Sequence, residues 1–309
     1  MRLDLKTEPG TVIAAPSGLM DYIELMKPEL TMLSVLSCLC GYYLATSGAF
    51  DIWRFVHTAI GTLLLGGGAG ALNQYIEREY DALMKRTERR PLPAKRLNPE
   101  EVRIFGIILT AAGLLELYVF TTPLASFLGA VTFGTYIFLY TPLKRVSPLS
   151  TIVGAIPGAL PPMIGWAAVR NAITADSWIL FGILFCWQVP HFLSLAWMYR
   201  KDYARAGFKM LTVVDPDGRK TSRQILYFTV SLIPASLLGT FLGLTGTAST
   251  VAALALGAMF LWLVVAFLRS AYDSAESSSV RHNVCARRIF FASLLYLPIL
   301  MTVMSIDKV

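Results

Sequence analysis

The chain has 309 residues, 55% of them hydrophobic and only 15% charged, with a formal net charge of +7 at pH 7. It is too apolar for a water-soluble globular protein, and its repeated apolar runs of about 20 residues, each able to cross ~30 Å of hydrocarbon, make it a polytopic membrane protein. The positive charge does not point to nucleic acid, because the basic residues cluster in the loops between apolar runs, as membrane topology demands.

Residues 1–28 read as a polar, partly amphipathic cytosolic arm ending at Lys27 and Pro28. Asp4, Glu8 and Asp21 fit neither a secretory signal nor a transit peptide. Nine helices are expected near 29–48, 54–76, 103–122, 124–141, 151–169, 177–199, 225–245, 249–268 and 289–306. Residues 29–309 thus read as one all-α transmembrane domain with nine helices around a central cavity. Of the 27 Lys and Arg, 24 fall on the side of the N-terminus, leaving only Arg54, Arg170 and Lys308 on the other. That asymmetry predicts N-in, C-out and an odd number of spans. The four cysteines, Cys38, Cys40, Cys186 and Cys285, read as reduced packing residues.

The second run ends in the most informative stretch. Asn73, Glu77 and Asp81 follow one another at a spacing of four, which places three acceptor side chains in a slowly drifting line on one helix face. Lys85, Arg86, Arg89 and Arg90 follow at once. Acidic residues are ordinary at a solvated helix end, but a regular line of acceptors leaving an apolar span suits a diphosphate carried by Mg²⁺: carboxylates hold the hard cation, and guanidinium groups neutralise the remaining phosphate charge.

In the third run Glu116 is a carboxylate at membrane depth without an obvious partner, while His57 and His282 suggest no role. The fourth run ends at Tyr140 followed by Lys144 and Arg145, either an aromatic-belt residue with snorkelling cations or a phosphate clamp. The fifth contains Pro157, Pro161 and Pro162 with Gly154, Gly158 and Gly165, and the sixth contains Pro190. Proline removes a backbone donor, so both helices should be bent or locally broken and should border an internal cavity rather than lipid. Within the sixth run, Trp187 and His191 lie one turn apart. His191 is either a satisfied packing residue or a functional one, as an iron ligand, a base or a hydrogen-bond donor. Asp202, just beyond that run, either belongs to a helix-end ion cluster or faces Asp81 across a second Mg²⁺ site. The second and sixth runs are four apart, which suggests two four-helix halves and a final helix, with Asn73, Glu77 and Asp81 aligned to Ser194, Met198 and Asp202.

Taken in order, these motifs resemble the intramembrane prenyltransferase (UbiA-type) superfamily. The likeness rests on Asn73-x₃-Glu77-x₃-Asp81 with Arg86, Thr87, Arg90 and Pro91-Leu92-Pro93, on Tyr140-x₃-Lys144-Arg145, on Gly158 to Trp166, on Trp187-Gln188-x-Pro190-His191-Phe192, and on Lys201-Asp202-Tyr203 with Ala206 and Gly207. Together they are similar to the branch that farnesylates haem. The resemblance implies a prenyltransferase that takes haem B and farnesyl diphosphate as substrates and makes haem O, multi-pass in the bacterial inner membrane, with its active site on the cytosolic side. It implies catalytic roles for Asn73, Glu77, Asp81 and Asp202, with Mg²⁺ on Glu77, Asp81 and Asp202. It gives diphosphate binding to Arg86, Arg90, Lys144 and Arg145, and haem binding to His191 and Trp187. Haem A synthase or a terminal oxidase assembly is the implied protein partner. The branch usually has Asp where Glu77 stands, and many superfamily members have two aspartates where Asp202 stands nearly alone, with Asp215 and Asp217 further along. The competing readings are a sister enzyme acting on a quinone precursor, a membrane transporter, whose polar groups would lie at the midplane, and a haem-binding assembly factor without catalysis.

Overall fold

The structure is a computed structural model that describes residues 18–273 and 278–309. Residues 1–17 of the expected arm therefore lie outside the described residues. Among the described residues, fourteen α-helical segments and one π turn follow one another. A short α1 (Leu19–Leu25) leads through Lys27, whose backbone is left-handed, into α2 (Pro28–Ala45). Then come α3 (Ile52–Asp81), α4 (Pro99–Phe120), α5 (Pro123–Gly134) and, after a π-helical turn at Thr135–Tyr140, α6 (Thr141–Leu143). The rest of the chain forms α7 (Ser150–Ala159), α8 (Pro161–Arg170), α9 (Ala175–Met198), α10 (Arg200–Arg205), α11 (Leu211–Val214), α12 (Arg219–Phe241), α13 (Thr247–Ser270) and α14 (Ser278–Ile306). Among the described residues the only β-pairing is an isolated bridge between Thr245 and Lys308.

Among the described residues, eight spans are long and apolar enough to cross a membrane: α3, α4, α5 with its π turn and α6, α7 with α8, α9, α12, α13 and the part of α14 from Val280. The ninth expected span, α2, is an 18-residue helix outside that set, although it packs along α8 and α3. Helix ends overrun the apolar runs at one end of the bundle. α3 continues to Asp81, α12 begins at Arg219 and α14 at Ser278, so polar residues there remain on the helical ladder.

Small residues let these helices approach closely. A Cβ on Gly68 would lie 2.7 Å from the Thr110 backbone nitrogen and 2.8 Å from the Gly106 carbonyl, and one on Gly113 would lie 2.6 Å from the Leu65 nitrogen, so α3 and α4 meet backbone to backbone. The predicted break in the fifth run is at Leu160, between α7 and α8, where Pro161 and Pro162 open the new helix. Pro190, by contrast, sits within a continuous α9. Two apolar cores result. One joins α2, α3, α4, α5 and α8 around Tyr42, Leu117 and Met163; the other joins α9, α12, α13 and α14 around Leu193, Phe260 and Tyr296.

Two expectations are corrected. Glu116 has a partner: its Oε1 lies 2.6 Å from Nδ1 of His57, which itself stacks on Phe120. The antiparallel course of α3 and α4 brings the two level, so His57 does have a place, in a partly buried pair.

Candidate active site

The last three turns of α3 carry the acceptor line, and all three members are buried: Asn73 is 2% exposed, Glu77 4% and Asp81 1%. Each meets a group brought by a different element. Asn73 Oδ1 accepts from Lys27 Nζ at 2.7 Å, at the α1–α2 joint, and its Nδ2 donates to Thr141 Oγ1 at 3.2 Å. Glu77 is ion-paired with Lys144, just after α6. Asp81 Oδ2 accepts from Arg90 Nη1 at 2.7 Å, from the loop that follows α3. Helical spacing supplies the line, and three distant segments supply its counter-charges.

The two lysines respond differently to burial. Burial lowers the Lys27 ammonium to about 7, Arg90 adding to the effect while Glu77 opposes it. Burial also works against the Lys144 charge, but Glu77, with Tyr140 and Tyr136, together outweigh it and the pKa rises. Lys144 faces a carboxylate, whereas Lys27 faces a neutral amide.

Local structure fixes these positions. The π turn of Thr135–Tyr140 precedes Pro142, which has no N–H to continue the α ladder, and Thr141 Oγ1 donates to the Tyr136 carbonyl at 2.9 Å. Lys144 then lies over the Tyr140 ring, 4.8 Å from its centroid. The loop from residue 82 to 98 is pinned at both ends. Thr87 Oγ1 donates to the Asp81 carbonyl at 2.8 Å, and Arg96 pairs with Asp21 and with Glu24 of α1, the latter at 2.9 Å.

Arg86 and Arg145 border this group. Arg86 Nη2 donates to the Tyr203 hydroxyl at 3.2 Å, and Arg145 Nη1 donates to the Tyr80 hydroxyl at 2.9 Å. Met84, Ala196, Ala206, Phe208 and Met210 form an apolar patch that binds the two polar loops together beside Tyr80 and Tyr203. A cavity of about 20 Å³, walled by Tyr140, Thr151, Phe192 and Tyr203 among others, adjoins it.

Other expected site residues make their contacts with groups outside the line. Asp202 pairs with Arg205 at 3.2 Å, and among the described residues no three His, Cys, Asp or Glu side chains gather as a metal cluster. Asp215 Oδ2 accepts from the backbone and hydroxyl of Thr221 at 2.7 and 2.8 Å, which assigns it to capping the start of α12. His191 and Trp187 turn to α14: His191 Nδ1 lies 2.8 Å from Ser293 Oγ, Trp187 Nε1 donates to the Ser293 carbonyl at 2.8 Å, and the two rings stack. Lys27 and Thr141 were not among the expected site residues. Lys27 lies 46 residues before Asn73, and only its place between a short helix and a proline marked it.

The UbiA prenyltransferase family matches residues 34–295. The chain belongs to that family. It is 46% identical over 297 residues to a protein named protoheme IX farnesyltransferase from Solibacter usitatus (strain Ellin6076), covering 93% of this chain and 98% of that one. A solved structure of digeranylgeranylglyceryl phosphate synthase has the same fold, with a TM-score of 0.76 at 15% identity over 94% of this chain and 98% of that one. A UbiA homolog from Archaeoglobus fulgidus bound to GPP and Mg²⁺ gives a TM-score of 0.65 at 13% identity, over 92% and 99%. This chain is thus a prenyl-transferring membrane enzyme of the UbiA family.

Proposed function

We propose that this UbiA-family enzyme moves farnesyl from farnesyl diphosphate to a vinyl group of haem B and adds water, giving haem O. The observation that carries the reading is the buried line of Asn73, Glu77 and Asp81, with Lys27, Lys144 and Arg90 turned onto it. The relative named protoheme IX farnesyltransferase selects the substrates.

The donor set suits Mg²⁺, because buried carboxylate and amide oxygens are the ligands a hard cation takes. Glu77 and Asp81 would hold it, with Asn73 beside them and Asp202 as the further carboxylate. When bound, Mg²⁺ neutralises negative charge as the diphosphate leaves. The chain's own cations share that load. Lys144 and Arg90 exchange their carboxylates for phosphate oxygens, Lys27 adds a third positive group, and Arg86 and Arg145 sit at the rim. The allylic C–O bond breaks, and the farnesyl carbon is held from bulk water by the apolar and aromatic side chains around the small cavity, Tyr140, Phe192, Leu195 and Tyr203 among them. The vinyl carbon bonds to it, water adds its hydroxide to the cation left beside the ring, and the remaining proton goes to the released diphosphate. His191 and Trp187 are assigned to the porphyrin, with Ser293 orienting the imidazole. We place the acidic line on the cytosolic side of the inner membrane, with nine spans, N-in and C-out, on the distribution of Lys and Arg.

The test is an assay with purified protein, haem B, farnesyl diphosphate and Mg²⁺, followed by mass spectrometry of the extracted pigment. The expected product is heavier by farnesol, and it is lost in Glu77→Gln and Asp81→Asn. An adduct on hydroxybenzoate instead would make this the sister enzyme; no covalent product with any prenyl donor would sink the reading.

A further inference from the structure

The far end of the bundle holds a feature that the transfer reaction does not use. A cleft of about 730 Å³ opens between the ends of α2, α8 and α12 and the segment after α14. Tyr43, Phe50, Trp166 and Leu242 give it aromatic and aliphatic walls, and Arg170 and Lys308 give it two cations. Along α3, the members of the acceptor line lie ~30–45 Å from this end. The cleft is therefore no extension of the diphosphate site. Its volume falls in the range of ligand pockets, roughly 300–1,000 Å³.

The two cations are held by backbone. Arg170 Nε donates to the Ala45 carbonyl at 2.7 Å, and Lys308 Nζ donates to the carbonyls of Tyr43, at 2.7 Å, and Thr46. Neither is ion-paired with a carboxylate among the described residues, and Asp176 is the acidic side chain in the lining. Burial, and then the nearby Arg170 charge, push the Lys308 ammonium below its usual value. Both cations keep donors to spare, since a guanidinium has five N–H groups and an ammonium three. Trp166 supplies a second, independent sign of a ligand: it is 3% exposed, and its indole Nε1 has no hydrogen-bond partner. A buried indole N–H normally finds an acceptor.

We infer that this cleft binds an acidic amphiphile, its anionic oxygens on Arg170, Lys308 and the Trp166 indole N–H and its apolar body along Tyr43, Phe50 and Leu242. Two sources share that chemistry: the phosphodiester head of an anionic lipid, and the propionates of a porphyrin. The porphyrin source rests on the proposed reaction; the lipid source does not.

Full-length protein in detergent would be titrated by native mass spectrometry with dioleoylphosphatidylglycerol or dioleoylphosphatidylcholine, and in a separate arm with haem B, counting the haem bound beyond the one copy that the transfer site takes. The wild type should bind phosphatidylglycerol or haem B with a preference that the Arg170→Gln/Lys308→Gln protein loses by about tenfold or more, as expected for lost charge-assisted hydrogen bonds. Arg170→Lys/Lys308→Arg should retain it, and Trp166→Phe should weaken it with both charges in place. Loss confined to phosphatidylglycerol identifies a lipid site, and loss confined to haem B a porphyrin site. Equal binding of each probe by the wild type and the neutral pair overturns the inference. Should the neutral pair fail to fold, unchanged binding in Trp166→Phe and in each single Gln variant does so.

Discussion

Glu77 is held by Lys144 in a buried ion pair, so the two cannot be changed independently. Glu77→Gln removes both a phosphate-side charge balance and the partner of a buried ammonium. Its turnover should fall by about 10²–10³, the usual cost of losing one electrostatic stabiliser of a transition state. Glu77→Asp keeps the charge and shortens the reach by one methylene, and should retain turnover within about tenfold of wild type, because a charge-keeping change preserves most of that stabilisation. Steady-state kinetics of the two variants at saturating Mg²⁺ separates charge from shape; equal loss in both would contradict this account. Lys27→Met should raise the KM for farnesyl diphosphate by about tenfold, one charge-assisted contact, with Lys27→Arg recovering most of it. The acceptor line was legible from the sequence because α-helical spacing alone places residues four apart on one face. Lys27 was not legible as a partner of Asn73, since the contact joins segments 46 residues apart. The pair of His57 and Glu116 was missed for the same reason, although two consecutive antiparallel helices put residues near their shared end within reach.

The helices were legible as apolar runs, and their ends were not. Hydropathy falls where polar side chains begin, but the hydrogen-bond ladder runs on, so α3, α12 and α14 all reach further into the polar end than their apolar cores suggest. That overrun places Glu77 and Asp81 on a rigid helix rather than on a loop, and rigid placement is what a preorganised charge site needs. The π turn at Thr135–Tyr140 is also invisible to hydropathy, and Pro142 was its only trace. The proline break between α7 and α8 was legible, because a missing donor acts at a known position. The seam of α3 and α4 has little slack: a Cβ at Gly68 meets Thr110 Oγ1 and, within 3 Å, the backbone of Thr110 and of Gly106, which cannot swing aside as a side chain can. Gly68→Leu should therefore destabilise the protein by about 3 kcal/mol, the upper range for overpacking. Thermal unfolding in detergent would read this as a lowered Tm, and an unchanged Tm would show that the seam can open.

At the scale of the whole molecule, the two ends differ in kind. One end gathers the acceptor line, the cations that face it and both long polar loops; the other has short connections and the cleft of Arg170 and Lys308. The proposed orientation turns the first end to the cytosol, on the 24 of 27 Lys and Arg that the sequence assigns to the side of the N-terminus. The orientation decides which compartment supplies farnesyl diphosphate, a water-borne head on a greasy tail, and which face the far cleft samples. It is open to a direct check with two cysteines in a background whose four native cysteines are replaced. Ser47, in the connection between α2 and α3, and Lys85, in the loop after α3, are both exposed and lie at opposite ends of α3. With intact spheroplasts and a membrane-impermeant maleimide, Ser47→Cys should label at once and Lys85→Cys only after permeabilisation. The reverse pattern would turn the enzyme over, put the acidic line outside the cell and remove the physical reason for expecting a cytosolic diphosphate to reach it.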